Sequence, residues 1–154
     1  MLDYSESARE ELKRVDHLIY VSLKYTRTVD VIKSIIDRLI SACNFTIVDI
    51  LEHKKDSLEE EVPESPAGKA ALTKKLFPGN ELVNEFIDHY LFLRRLSRAD
   101  YEKINEFRRH VTMIANVSDK TYNIDIDTIT EYFGTTKKYV EQIESLINGK
   151  PDTI

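Results

Sequence analysis

Apolar residues recur at three- and four-residue spacing through residues 1–62, and no glycine or proline interrupts them. Such a stretch predicts two long helices mostly enclosed by protein. The first runs from about Ser5 or Ser7 to about Tyr25. Ala8, Leu12, Val15, Ile19 and Ser22 share one face, with Leu18, Val21 and Tyr25 as a second strip beside it. Thr26, Arg27 and Thr28 interrupt it. Thr28 suits an N-cap, with Asp30 in the positive first turn that follows. The second helix spans about Val29 to about His53. Its apolar set is Val31, Ile32, Ile35, Ile36, Leu39, Ile40, Cys43, Ile47, Ile50 and Leu51. Its polar residues shrink to a narrow line: Asp30, Ser34, Asp37, Ser41 and Asn44. Other helices must surround it, from its own chain or from a second copy.

The remaining pattern is shorter in wavelength. An acidic linker at about 54–65 follows, broken by Pro63 and Pro66. Ser65-Pro66 opens a helix to about Leu76, with serine as N-cap and proline at N1. Pro78-Gly79 turns the chain, and Asn80 caps a helix from Glu81 to about Leu96. Ser97 and Asp100 suggest the cap of a short helix through Phe107. The period then changes to alternation around Val111–Val117 and Tyr122–Ile126, which predicts a β-hairpin with a loop of four residues, Ser118 to Thr121. Thr128 with Glu131 reads as a capping box, opening one helix that crosses Gly134 and ends near Asn148 at Gly149, with Pro151 beyond. The fold class expected is mainly α: a single domain over 1–154, a bundle of five or six helices with one inserted β-hairpin at about 110–126.

Composition narrows the chemistry. The net charge of −5 leaves no global nucleic-acid footprint. A lone cysteine, Cys43, rules out an internal disulfide framework and fits a reducing cytoplasm. The acidic, polar start of the chain is unlike a signal peptide, and no apolar run is long enough to span a membrane. His17, His53, His89 and His110 show no metal-ligand spacing, and the four glycines stand singly, so neither a metal, a cofactor nor a phosphate loop is expected. Cys43 lies within the most apolar helix and reads as a small core residue.

Cations concentrate between Arg94 and His110. Arg94, Arg95, Arg98, Lys103, Arg108 and Arg109 face Asp100, Glu102 and Glu106, leaving +3. Tyr90, Tyr101 and Phe107 are interleaved. Arginine suits bidentate contact with phosphate, and aromatic rings can stack on bases. Arg14 and His17 on the first helix join the same surface if that helix packs antiparallel to the one ending at Arg98. The opposing expectation is a salt-bridged face with Asp16, Glu85 or Asp88 as partners. A tight turn at Ser97 would bring Arg108, Arg109 and His110 beside Arg94, Arg95 and Arg98.

Two resemblances bear on this. The string Asp16-His17-Leu18-Ile19-Tyr20-Val21, followed by Thr26-Arg27-Thr28-Val29-Asp30, looks like small helical archaeal proteins of unknown function. The layout also resembles HEPN domains, dimeric bundles that are often RNA-cleaving or nucleotide-associated. Their hallmark, an arginine followed after four to six residues by a histidine, is absent around all four histidines. The leading expectation is a non-enzymatic, self-associating scaffold, a homodimer through its first two helices. The alternative is an RNA- or nucleotide-binding protein using the arginine-rich face.

Overall fold

In the computed structural model, which describes residues 3–149, the chain is mainly helical with a small antiparallel sheet. Helix α1 (Tyr4–His17) starts slightly before the expected Ser5 or Ser7 and is capped by Asp3, whose carboxylate accepts the Glu6 N–H at 3.1 Å. It passes into a π-helical stretch, Leu18–Ser22, and a final turn, α2 (Leu23–Tyr25). The wider π turn admits one extra residue, so the inward position falls on Leu23, fully buried, instead of on Ser22. Val21 and Tyr25, expected as a second apolar strip, face outward.

Thr28 caps α3 (Val29–His53) as the sequence predicts, accepting the Val31 N–H at 3.4 Å. α3 is the central post. α1, α4 (Pro66–Leu76), α5 (Glu81–Arg98) and α6 (Ile126–Asn148) all pack against it. Ile32, Ile35, Ile36, Leu39, Cys43, Ile47 and Ile50 are at most 2% exposed within the single chain. Ser65 and Asn80 cap α4 and α5, again as expected.

The expected short helix through Phe107 is instead strand β1 (Asp100–Ile104), and α5 continues to Arg98 with Ala99 as its C-cap. β1 pairs with β2 (Thr112–Val117), which pairs with β3 (Lys120–Ile124), so the hairpin gains a third, edge strand. Ser118 and Asp119 both have positive φ, 48° and 66°, which makes a two-residue turn rather than the four-residue loop expected. α6 runs unbroken across Gly134 to Asn148, with Gly149 in the left-handed conformation at its end. Its cap is Asp125, which accepts the Thr128 N–H at 2.8 Å, so Thr128 lies inside the helix. Pro151 lies outside the described residues.

Candidate functional site

The polar line on α3 is a seam. Asn44 accepts a hydrogen bond from the buried Tyr90 hydroxyl of α5 at 2.5 Å. Further toward the N-terminus of α3, Asp37 accepts from Ser97 at the end of α5 at 2.8 Å. Lys33 sits 4.5 Å above the Tyr101 ring of β1, and Asp30 takes the Lys103 ammonium at 3.1 Å. Finally the α3 N-terminus presents its Val29 N–H to the Glu106 carboxylate at 3.0 Å. α5 and then β1 therefore track antiparallel along α3. Asp37 does not pair with Lys33, and each member of the line but Ser34 and Ser41 has a partner on the neighbouring element.

This geometry places the candidate cations. Arg94, Arg95 and Arg98 occupy the last turns of α5, with the Arg94 guanidinium 5.8 Å from the Tyr90 ring. Arg108, Arg109 and His110 lie exposed beyond the far end of β1. A five-residue strand spans about 16 Å, so the two groups do not converge. A tight turn at Ser97 required a helix, and the strand carries the chain away instead. Both groups still border the same seam, at two heights along α3.

Arg14 and His17 stand on the other flank. Buried Glu11 of α1 holds Arg14 at 2.8 Å and Arg38 of α3 at 3.2 Å. Arg38 directly follows Asp37, which faces α5, so α3's outward ridge separates the Arg14–His17–Arg38 flank from the Arg94–Arg98 flank. α1 packs on α3 and α6, and does not lie alongside α5 as the antiparallel arrangement would require. A depression of about 340 Å³ lined by Glu10, Lys13, Arg14, His17, Leu18 and Arg38 marks that flank.

The arginines between Arg94 and His110 are not neutralised by ion pairs. Among the described residues, Arg94, Arg95, Arg98, Arg108 and Arg109 make no ion pair, whereas Asp88, an expected partner, is taken by Lys74 at 2.7 Å. Arg9 is paired with Glu144 instead. The sequence marks Arg38 only as flanking the polar line, because its place beside Arg14 depends on the buried Glu11 of another helix. Of the interleaved rings, Tyr90 is buried, as its helical spacing predicts, Tyr101 is half-buried, and Phe107 is 76% exposed.

Other reactive groups are occupied or shielded. Cys43 is fully buried, and burial raises its thiol pKa well above the ordinary range. His89 donates from Nε2 to Thr136 Oγ1 at 2.8 Å, because that hydroxyl already donates to the Tyr132 carbonyl. Burial lowers its pKa to about 4. Among the described residues no three histidine, cysteine or acidic side chains gather as a metal site, and no helix is long and apolar enough to cross a membrane. No protein-family model, curated protein or solved structure matches the chain.

Proposed function

We propose that this chain binds RNA through its phosphates, using the arginines that border the α3 seam. The observation behind this reading is the set of five arginines, Arg94, Arg95, Arg98, Arg108 and Arg109, that lack ion-pair partners among the described residues. Holding several guanidinium groups unneutralised on one side of a chain of net charge −5 costs self-repulsion, which an anionic partner relieves. Ser34 and Ser41 on the intervening ridge add neutral hydrogen-bonding groups.

The test is a salt series of RNA binding. Each phosphate contact contributes about 0.7 to the logarithmic salt slope for single strands. Replacing Arg94, Arg95 and Arg98 together by alanine should therefore weaken binding and reduce the slope by about 2. No detectable binding of wild-type protein to RNA at low salt would end this reading.

Self-association is a second reading. The apolar residues of α3 that suggested it are covered by the chain's own helices, but Tyr20 and Val21, on the π-helical stretch, are 57% and 40% exposed. A homodimer through this edge would scatter light as about twice 17.9 kDa. A single-chain mass at micromolar concentration would exclude it.

A further inference from the structure

The loop that joins β1 to β2 holds an aromatic residue in a conformation that aromatic residues avoid. Phe107 has φ of 65° and Asn105 has φ of 55°. Asparagine tolerates this region, but a bulky side chain there is strained. The strain is fixed by a dense set of bonds. The Phe107 N–H donates to the Arg27 carbonyl at 2.6 Å. Glu106 caps the Val29 N–H, and Asn105 Nδ2 donates to the His110 carbonyl at 3.3 Å. Arg108 N–H and Val111 N–H close the loop onto Asn105 and Arg108 at 3.1 Å each. All this holds a ring outward, and burial gives nothing back.

The same bonds set Phe107 beside the segment that carries Tyr25, which is 81% exposed and two residues from Arg27. Lys24, Arg108 and Arg109 are exposed around these rings and have no ion-pair partner among the described residues. Two acids at the start of α3 and in this loop are engaged elsewhere: Glu106 on the Val29 N–H, and Asp30 on Lys103. Exposed rings interleaved with free cations match the chemistry of an unpaired nucleobase and its flanking phosphates. A duplex hides its base faces, and an apolar protein partner would leave the cations stranded.

We infer that Phe107 and Tyr25 form a stacking platform for bases of single-stranded RNA, with Lys24, Arg108 and Arg109 holding the adjacent phosphates. This rests on the RNA-binding reading and adds the strand class to it. The test is fluorescence anisotropy of the full chain with a labelled oligouridylate and with a duplex of the same length. Phe107→Ala and Tyr25→Ala should each weaken oligouridylate binding by about 5- to 150-fold, the range that loss of one base stack gives. Duplex binding should not change, and Phe107→Trp should keep single-strand affinity. Phe107→Gly should raise Tm by about 2–4 °C through release of the strained φ, while losing the single strand. Such a gain of stability with loss of binding is what a merely structural ring would not show.

Unchanged oligouridylate binding by Phe107→Ala and Tyr25→Ala would overturn the platform. So would an equal loss on both probes. Loss of a dimer, or of affinity for phosphatidylserine vesicles, with RNA binding intact would reassign the rings to self-association or to a membrane surface. The Arg94, Arg95 and Arg98 triple variant stays separate: if it loses RNA while the ring variants do not, the broader reading stands and the platform falls. Wild-type protein that binds neither probe overturns both.

Discussion

His89 makes folding sensitive to acid. Its imidazole is neutral in the folded chain because burial depresses its pKa from about 6.5 to about 4. Below pH 6.5 the unfolded chain takes up a proton that the folded chain refuses, so stability should fall as pH drops toward 4. Each tenfold weakening of proton affinity is worth about 1.4 kcal/mol, so the contribution is at most on the order of 3 kcal/mol. His89→Gln keeps a donor toward Thr136 and should flatten Tm between pH 4 and 6.5. An unchanged profile would assign the acid sensitivity elsewhere. Asp49, whose pKa burial raises, acts with the opposite sign above pH 3.8. At Tyr90, replacement by phenylalanine leaves the Asn44 carbonyl without its donor at the seam. A loss of about 1–2 kcal/mol in denaturant unfolding is expected. Neither pairing was legible in the sequence, since each joins residues more than forty positions apart. Periodicity reported only that Tyr90 points inward.

Caps and breakers were the most readable features among the elements, because their chemistry is local. Thr28, Ser65 and Asn80 each accept a backbone N–H three residues on. The start of α6 was placed three residues late, because Thr128 with Glu131 mimics a capping box while the cap is Asp125. Asp125→Ala should cost about 1 kcal/mol, and Thr128→Ala clearly less. The glycines of α4 and α6 part company in the same way. A Cβ on Gly134 would meet nothing within 4 Å, so Gly134→Ala should stabilise by about 0.5–1 kcal/mol. On Gly68 it would lie 2.6 Å from Pro63 Cβ and 2.8 Å from Ser65 Oγ, so Gly68→Ala should destabilise by about 1 kcal/mol or more despite better propensity. Chemical denaturation of both variants checks the contrast. That close approach also brings the end of the acidic linker against α4. β1 was invisible because only Tyr101 along Asp100–Ile104 is even half-buried, so no alternation marks it. The strand exists because β2 offers it a ladder, and its charged residues suit an edge.

Across the whole molecule the charges are sorted by height along α3. Arg14, His17, Arg38, Arg94, Arg98 and Arg108 lie toward its N-terminal half, while Asp49, Glu52, Glu59, Glu60 and Glu61 gather at or beyond its other end. A 25-residue helix is about 37 Å long, several times the screening length of about 8 Å at physiological salt. Changing Glu59, Glu60 and Glu61 to glutamine should therefore alter RNA affinity by less than about 2-fold at physiological salt and more at low salt. A large gain at physiological salt would show that the acidic end folds over the basic one. The −5 total concealed this sorting, and the cations from Arg94 to His110 were legible as residues but not as groups at two heights, since that depends on the unexpected strand. The wide turn at Leu18–Ser22 carries a consequence of its own. It sets the rotational phase of everything between it and Thr28. Deleting Ser22 would restore an ordinary helix and keep Leu23 inward, three places after Ile19. Tyr25 would stay two places after Leu23 and keep its outward direction. An ordinary helix that kept Ser22 would instead swing Leu23 and Tyr25 around the axis by about 100° relative to the loop that carries Phe107. The wide turn thus acts as an alignment key for two rings on the surface.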